Sequence, residues 1–229
     1  MKLSIIMPVY NEKNTVCKAI DEVFSVDLNN IEKELIVVDD GSNDGTEKIL
    51  RDIKEKKEFK LLHHNSNLGK GSAIRTALPH VTGGLVVIQD ADLEYNPQEY
   101  PSLLKPILDG KADVVYGTRF LGAHKVLLFW HFMGNLLLNF VANFLYNVNL
   151  SDFETCFKLF KSEILKSFDL KSCGFEFEVE VTAKVLKNRY RLWEVPISYS
   201  GRGYAEGKKI KPKDGLIALF CLFKYRSVD

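Results

Sequence analysis

Short apolar runs recur along the first half of the chain, and each of them ends in a polar turn. The clearest run, Leu85–Ile88, is followed by the polar sequence Gln89-Asp90-Ala91-Asp92. Continuous apolar residues of this length are typical of strands that are buried in a parallel sheet. Helix-periodic segments separate the runs, which indicates βαβ units and an α/β fold with a mostly parallel sheet flanked by helices. The predicted strands of this half are Leu3–Tyr10, Glu34–Val38, Phe59–Leu62, Leu85–Ile88 and Asp113–Gly117, and the clearest predicted helix is Tyr100–Leu108.

The second half contains a long segment, Val126–Ser151, without a charged side chain. Its length suggests a membrane span, but a polar residue recurs at every fourth position and forms one broad face of a helix. Such a face is costly in lipid, so we predict one or two amphipathic helices, on a membrane surface or packed on the domain. A core helix with internally satisfied asparagines and an interface with a second copy of the chain are the alternatives. The polar residues are His131, Asn135, Asn139, Asn143 and Asn147.

The remaining pattern of the second half is mixed. Phe153–Phe160 alternates like a strand, and a helical period starts at Phe175 and continues to Val185. Leu192–Tyr199 is predicted as a strand, and Pro196 within it favours the edge of the sheet. The apolar segment Asp214–Tyr225 is predicted as a helix too short to span a bilayer.

Composition narrows the class of protein. The 229 residues are 46% hydrophobic and 27% charged, which is an ordinary globular balance and fits one domain over residues 1–229. The formal net charge of +1 gives no support to a nucleic-acid partner. The four cysteines have no paired spacing, so we expect neither a zinc site nor a disulfide framework, and a reducing compartment is the simplest setting.

Four turns that follow predicted strands carry groups suited to a nucleotide diphosphate. The carboxyl ends of parallel strands meet at one edge of the sheet, which is where open α/β folds bind ligands. At that edge Asp90 and Asp92 would repel each other unless a cation lay between them, and oxygen ligands of this kind suit Mg²⁺ or Mn²⁺. A solvated turn that caps the helix near Pro97 is the simpler interpretation of this pair alone. The four turns are Pro8–Glu12, Asp39–Ser42, Gly69–Gly71 and Asp90–Asp92.

Three of these segments resemble the signatures of family 2 glycosyltransferases, namely VDDGSNDGT, NLGKGSAIRTA and DADLEYNP. The later stretches GTRFLG, SDFETCFKLF, EVPISY and GRGYAEGKKIKPKDGL are similar to the branch of dolichyl-phosphate mannose and glucose synthases and their bacterial polyprenyl-phosphate relatives. The resemblance implies a GT-A, Rossmann-like fold. It also implies a nucleotide-binding half at residues 1–120 and an acceptor- and membrane-facing half at residues 121–229.

The resemblance further implies an inverting, metal-dependent enzyme that moves a hexose from UDP-glucose or GDP-mannose to a polyprenyl phosphate. Such an enzyme is peripheral on the cytoplasmic, inner face of the membrane. Because the acceptor is already an anion, it needs no general base, and positioning and charge neutralisation supply most of the rate. The implied nucleotide-sugar ligands are Pro8, Tyr10, Glu12, Asp40, Lys70 and Asp90, and the implied metal ligands are Asp90, Asp92 and Glu94.

Positive charge in the second half has two predicted uses. Arg119 follows the fifth strand, and its fork suits a bidentate grip on the acceptor phosphate. Arg202 lies on a Gly-rich segment that we expect to close over the donor and place positive charge on the leaving diphosphate. A basic loop facing anionic lipid is the alternative, and it is compatible with the first. The further acceptor candidates are Lys125, His131 and Asn135, the further loop candidates are Lys208 and Lys209, and the predicted catalytic residues are Asp92, Arg119 and Arg202.

Two other functions are open from the sequence. A family 2 enzyme acting on a saccharide or lipid hydroxyl needs a general base, for which Asp152 or Glu154 is the candidate. Glu154 and Lys158 otherwise help to shape the sugar site or form a buried ion pair. A nucleotide-sugar-binding or membrane-scaffolding module without turnover is the third hypothesis, and an intact Asp90/Asp92 pair argues against it.

Overall fold

The computed structural model describes residues 1–125, 128–203, 209 and 212–227. The strands are β1 (Lys2–Val9), β2 (Glu32–Asp39), β3 (Lys60–His63), β4 (Leu85–Ile88), β5 (Val114–Thr118), β6 (Lys158–Lys161) and β7 (Leu192–Pro196). The helices are α1 (Val16–Ser25), α2 (Thr46–Lys54), α3 (Lys70–Ala77), α4 (Tyr100–Leu108), α5 (Phe129–Tyr146), α6 (Ser162–Ser167), α7 (Phe177–Lys187) and α8 (Pro212–Ser227). The predicted α/β class is confirmed.

In the described part of the chain, the strands form one sheet in the order β3-β2-β1-β4-β6-β5-β7. Strands β1 to β4 are parallel to one another, β6 is antiparallel to both of its neighbours, and β7 is parallel to β5. β7 lies at an edge of the sheet, as Pro196 predicts. Each face of the sheet is covered by helices: α1, α2 and α4 pack on one side, and α3, α6 and α7 on the other.

Apolar burial explains the best sequence predictions. All four residues of Leu85–Ile88 are buried, because β4 lies at the centre of the sheet with helices on both faces. This strand and the helix Tyr100–Leu108 have the bounds that the sequence predicts. The predicted strand Phe153–Phe160 is wrong in its first half, since only Lys158–Lys161 pairs with the sheet. The backbone before it forms a turn, whose buried Phe153 and Phe157 imitate the alternation of a strand.

The register of β6 places that turn at the functional edge. Lys158 pairs with Tyr116 of β5, and Leu159 pairs with Val87 of β4. Because β6 runs against both neighbours, the residues that precede it lie at the carboxyl ends of β4 and β5, where the amide of Gly117 donates to the carbonyl of Phe157 at 2.9 Å. The amide of Cys156 donates to the Tyr95 hydroxyl at 3.1 Å and fastens this turn to the one that follows β4.

The amphipathic helix α5 faces the protein with its polar side. Asn139 is buried, where its amide donates to the carbonyl of Ser151 at 2.7 Å and its oxygen accepts from the amide of Phe153 at 2.8 Å. Asn143 makes a matching pair of bonds with the backbone of Leu150. Asn139 and Asn143 are therefore satisfied internally, as in the core-helix alternative, whereas Asn147 lies beyond the end of α5 and is exposed.

The apolar side of α5 faces outward. Its exposed large side chains, together with those of the neighbouring helix α8, are called the apolar face below. The two helices pack through a small core that includes Ala142 and Leu222. Among the described residues no helix combines the length and apolarity needed to cross a bilayer. The exposed members are Phe129, Trp130, Phe132, Met133, Leu136, Leu137, Phe140 and Phe144 on α5, and Leu216, Ile217, Phe220 and Phe223 on α8.

Candidate active site

The carboxylates of the turn after β4 are held by cations of the protein. Lys70, the first residue of α3, places its ammonium 2.7 Å from Asp90 and 3.3 Å from Glu178. Lys158 lies 2.5 Å from the other oxygen of Glu178 and is fully buried. Burial alone would lower the pKa of Lys70, but the charges of Asp90, Cys156 and Glu178 and the hydrogen bond to Asp90 together raise that pKa well above its ordinary value. A buried chain of alternating charge therefore starts at Asp90, and sequence reasoning missed Glu178 within it.

Arg202 lies among three of the predicted site carboxylates. Its guanidinium is 3.0 Å from Asp92 and 3.2 Å from each oxygen of Glu12, and its Nε is 3.4 Å from Glu94. The backbone amide of Arg202 also donates to Glu94 at 2.8 Å. Tyr199, which the sequence analysis did not single out, donates its hydroxyl to Glu94 at 2.6 Å. Glu94 thus anchors the segment that carries Arg202 to the Asp90–Asp92 turn.

The Asp90–Asp92 turn has the chemistry of a cation site. Burial, followed by repulsion from Asp90 and Glu94, raises the pKa of Asp92 to about 7, although Arg202 opposes the shift. Crowded carboxylates with all-oxygen donors fit Mg²⁺ or Mn²⁺. The carboxylate oxygens of Asp90, Asp92 and Glu94 do not all lie within 4.8 Å of one another in the described part of the chain, and Arg202 contacts two of these residues. The described ligand atoms that do lie within that distance belong to Asp39, Glu47 and His63.

The acidic groups of this second cluster are paired with other side chains of the protein. Asp39 is buried and lies 3.2 Å from Nδ1 of His63. Glu47 is paired with Arg51 at 2.5 Å on the surface of α2. Each acidic group there already has a protein partner, so the cluster carries no argument for a metal.

The nucleotide candidates of the first turn lie next to Arg202. Glu12 is buried and accepts from Thr15 at 2.7 Å and from Lys209 at 2.7 Å. Burial opposes the shift, but the bonds from Lys209, Thr15 and Arg202 hold the pKa of Glu12 below its ordinary value. Lys209 also bonds to the carbonyl of Tyr10 and lies 5.7 Å from the centre of its ring. Pro8 is half-buried near the end of β1, just before these groups.

Asp40 fastens the Gly-rich turn to β2. Its two oxygens accept from His64 at 2.7 Å and from the backbone amides of Leu68 and Gly69 at 2.9 and 2.8 Å. Asn67 donates to it as well, at 2.9 Å. A carboxylate with this many protein donors is a structural anchor in this state, and its contact with a nucleotide stays a prediction.

The Gly-rich turn is packed against protein rather than open. Gly69 has a φ of +95°, and a Cβ at that position would collide with the carbonyl of Cys173. A Cβ at Gly71 would collide in the same way with the carbonyl of Ser172. The amide of Ser72 donates to Cys173 at 3.0 Å. These glycines allow segment 172–174 to approach the start of α3, and Lys70 is the group that this turn presents to the site.

Arg119 is held in a fixed orientation by Asp152. Nε and Nη2 of Arg119 donate to the two oxygens of Asp152 at 2.7 Å each, and the backbone amide adds a bond at 3.0 Å. Burial alone would lower the pKa of Arg119, but the charge of the fully buried Asp152, the hydrogen bonds to it and the nearby Tyr95 and Tyr199 together raise that pKa well above its ordinary value. The guanidinium also lies 5.3 Å from the ring centre of Tyr199, the residue that bonds to Glu94. Both carboxylate oxygens of Asp152 are therefore hydrogen-bonded to Arg119.

The other acceptor candidates lie near the start of α5. Lys125 is exposed, and its backbone amide donates to Tyr199 at 2.9 Å. The Asn135 amide donates to the carbonyl of His131 at 3.0 Å, one helical turn before it. The side chains of His131 and Asn135 lie on the half-buried side of the helix. Lys208, the remaining loop candidate, is outside the described residues.

Comparison with known proteins identifies the family. The sequence model of the glycosyl transferase family 2 matches residues 4–168, and the chain belongs to this family. This confirms the resemblance drawn from the motifs, and the family is one of glycosyltransferases.

Three curated relatives are similar over most of the chain. It is 28% identical over 219 residues to a dolichol-phosphate mannosyltransferase of Pyrococcus furiosus, covering 91% of this chain and 59% of the relative. It is 27% identical to an undecaprenyl-phosphate 4-deoxy-4-formamido-L-arabinose transferase of Edwardsiella ictaluri (90% and 62%) and 26% identical to a glycosyltransferase, AglJ, of Haloferax volcanii (96% and 70%). The chain thus spans about three fifths of the length of the first two relatives.

Solved structures support the GT-A fold. Glucosyl-3-phosphoglycerate synthase from Mycobacterium tuberculosis, solved with Mn²⁺, UDP and phosphoglyceric acid, superposes with a TM-score of 0.77 over 100% of this chain and 79% of that one. The same enzyme with Mg²⁺ and UDP gives a TM-score of 0.76, covering 100% of this chain and 80% of the other. The identities are 20% and 19%, so the likeness concerns the fold alone.

Proposed function

We propose that this chain transfers a hexose, with inversion, from a nucleotide-diphosphate sugar to a polyprenyl phosphate. The observation that carries the proposal is the cluster in which Arg202 contacts Glu12, Asp92 and Glu94 at the carboxyl edge of the sheet. Such an edge is where α/β folds bind nucleotides. Two of the curated relatives are named for transfer to or from dolichol phosphate or undecaprenyl phosphate, which supports a lipid-phosphate acceptor here.

The donor side would use the cations and carboxylates already described. Asp90 and Asp92, with Glu94 as a third candidate, are the residues that would hold Mg²⁺ or Mn²⁺. The ion, when bound, would neutralise charge on the donor pyrophosphate. Arg202 and Lys209 would leave the carboxylates and contact the leaving diphosphate, and Lys208 is a further candidate for that contact. UDP-glucose and GDP-mannose are the donors we propose to test first.

The acceptor side would be built on Arg119. A phosphate oxygen of the lipid attacks the anomeric carbon while the bond from that carbon to the leaving diphosphate breaks. Because the phosphate is already ionised, this reaction needs no proton acceptor. Arg119 is fixed by Asp152 through Nε and Nη2, and it would orient the attacking phosphate through its other N–H groups. Lys125, His131 and Asn135 are further candidates for contact with the acceptor phosphate.

The apolar face would bring the site to its lipid substrate. Its large aromatic side chains, such as Phe144 at 80% exposure, match the requirements of an interfacial helix pair. Lys213, Lys224 and Arg226 on α8 are exposed and would favour anionic headgroups. We propose peripheral attachment at the cytoplasmic face, with residues 121–229 as the acceptor- and membrane-facing half.

A second candidate function is transfer to a saccharide or lipid hydroxyl. One observation favours it: burial raises the pKa of Glu154 to about 7, a value suited to a general base. Asp152, the other base candidate, is less suited because Arg119 occupies both of its oxygens.

A donor and acceptor screen tests the proposal. The purified chain, with Mn²⁺ or Mg²⁺ and a short polyprenyl phosphate, is offered UDP-glucose, UDP-N-acetylglucosamine, GDP-mannose and UDP-galactose in turn, and glycolipid product is read by mass spectrometry. We expect product with one donor, its loss with EDTA, and its loss in Asp92→Asn but not in the remote surface variant Asp109→Asn. Donor binding without lipid product would favour the hydroxyl acceptor, and neither binding nor product would favour a non-catalytic module.

A further inference from the structure

One carboxyl group of the site has no assigned partner. Glu154 lies on the turn before β6, two residues after Asp152 and four before Lys158. Each of these two neighbours belongs to a buried ion pair, Asp152 with Arg119 at 2.7 Å and Lys158 with Glu178 at 2.5 Å. The second pair continues through Lys70 to Asp90, and the first is the predicted acceptor grip.

The Glu154 carboxyl is under-satisfied. Its Oε1 is shielded from solvent and has no hydrogen-bond partner among the described residues, although the residue as a whole is only half-buried. The residues on either side are fixed: Phe153 accepts a bond from Lys158, and the Thr155 hydroxyl donates to Gly117 at 2.6 Å. A buried acceptor without a donor is destabilising, and a native site that keeps one generally has a use for it.

We propose that Glu154 binds a hydroxyl group of the donor hexose and helps to select the sugar. This inference rests on the proposed function, and it identifies a specificity residue within that site. In the transfer reaction the hexose must lie between the leaving diphosphate and the attacking phosphate. Along its turn Glu154 stands between Asp152, which holds Arg119, and Lys158, which is linked through Glu178 and Lys70 to Asp90.

A sugar hydroxyl is the partner that fits this position chemically. A hydroxyl donates and accepts, so it satisfies the carboxyl whether or not that carboxyl carries a proton. Burial followed by the opposing charge of Lys158 leaves the pKa of Glu154 at about 7, where both forms are present. A phosphate would be repelled by the carboxylate, and Lys158 and Arg119 already have closer partners. Discrimination is strong when a site is built to bond a hydroxyl, because its absence leaves the polar group unpaired.

The test compares binding of a nucleotide sugar with binding of the bare nucleotide, which removes the acceptor from the experiment. Affinities of UDP-glucose and UDP, and of GDP-mannose and GDP, are measured with Mn²⁺ by calorimetry for the wild type, Glu154→Gln and Glu154→Ala. Glu163→Gln, an exposed change on α6, is the matched control. For Glu154→Ala we expect a loss of about tenfold in affinity for the preferred sugar nucleotide and less than about twofold for its nucleotide, with a smaller loss for the isosteric Gln variant.

Deoxy-sugar donors then identify the hydroxyl. Removing the hydroxyl that Glu154 contacts should weaken wild-type binding, and should have no further effect in Glu154→Ala, whereas removing any other hydroxyl should act equally in both proteins. Urea unfolding of both variants checks that the fold is retained, and we expect no loss of stability in Glu154→Gln, because Oε1 of Glu154 has no hydrogen-bond partner among the described residues.

Three results would overturn the inference. Equal losses for UDP and UDP-glucose would make Glu154 a structural residue. Unchanged binding with abolished turnover would make it the general base of the hydroxyl-acceptor reaction. Unchanged binding and turnover would leave it without a role in the site. The wild-type measurements judge the proposed function separately, because a wild type that binds neither sugar nucleotide has no site for the two donors that we propose, whatever the variants do.

Discussion

Single residues of this site are held by partners that are distant in the sequence. Arg119 is positioned by Asp152, and Lys158 by Glu178, and each pair is buried with short contacts. Such pairs contribute little net stability when intact, since desolvation offsets their attraction. Their value is geometric, because a buried bidentate pair fixes the plane of a guanidinium that must meet a substrate phosphate.

The Arg119–Asp152 pair gives a prediction about stability. Asp152→Asn should lower the free energy of unfolding by about 3–5 kcal/mol, because it leaves the Arg119 charge buried and without its counterion. Urea unfolding measures the change. Asp109→Asn, which removes an exposed carboxylate paired with Lys105 and Lys111, should change stability by less than about 1 kcal/mol. If the two substitutions lowered the free energy of unfolding equally, the buried Arg119 would not depend on Asp152 as its counterion.

Arg202 gives a prediction about metal affinity. In the wild type its guanidinium competes with a cation for Asp92 and Glu94, so Arg202→Gln should raise the affinity for Mn²⁺ in the absence of nucleotide by about fivefold. Turnover should fall in the same variant, since Arg202 is expected to contact the leaving diphosphate. Arg191→Gln, which affects the exposed pair with Asp113, is the control. Mn²⁺ titration followed by electron paramagnetic resonance measures the affinity, and an unchanged or lower value would contradict the competition.

At the scale of helices and strands, local pattern accounts for the fold and for one end of the site. The strand Leu85–Ile88 and the turn Asp90–Asp92 are readable because four buried apolar residues followed by polar ones mark a central parallel strand. The partners Asp152, Glu178 and Tyr199 were not predictable in these roles, because each is brought to the site by long-range packing that leaves no local periodicity. Long-range packing also explains why the pattern of residues 153–157 wrongly predicts a strand. Phe153 and Phe157 alternate with polar residues and are buried, but this segment is a turn and does not pair with the sheet.

Glu34 joins three parts of the sheet and predicts a pH effect. It accepts from the amide and hydroxyl of Thr82 at 2.6 Å each, bonds to Ser4, and pairs with Lys2 at 3.1 Å. Burial opposes the shift, but these bonds, led by Ser4 and Thr82, lower the pKa of Glu34 to about 2 from an ordinary value of 4.5.

Because the folded-state pKa is depressed, the stabilisation by Glu34 is present above about pH 4.5 and is lost as the pH falls towards 2. Glu34→Gln should therefore lower the free energy of unfolding at pH 7 by on the order of 2 kcal/mol and flatten its dependence between those pH values. Glu32→Gln, on the same strand and also paired with Lys2 but exposed, should do neither. Urea unfolding at several pH values measures both, and parallel pH profiles for wild type and Glu34→Gln would contradict the assignment.

The whole molecule has an unusual surface, because α5 turns its asparagines inward and its aromatic residues outward. The helical period predicted both sides correctly as far as Asn143, and Asn147 lies beyond the end of the helix and is exposed. The period cannot say which side meets the protein. That choice is made by the backbone of segment 150–153, whose polar groups bond to Asn139 and Asn143. The apolar face that results is therefore available to a lipid surface or to a second copy of the chain.

Flotation with liposomes decides between these two occupants. The wild type should float with vesicles that contain anionic lipid, and less so at high salt, since both apolar burial and the cations of α8 contribute. Replacing Phe140, Phe144 and Phe220 together by serine should reduce the bound fraction at least about tenfold, because each is more than two-thirds exposed and its removal from the face loses transfer energy without disturbing the core. Leu108→Ser, an exposed apolar change on α4, should leave binding unaltered. Sedimentation analysis of the same proteins is run in parallel. If the wild type never floats and forms a dimer that dissociates in the triple variant, the apolar face serves self-association instead. The lipid acceptor would then have to reach Arg119 without help from this surface.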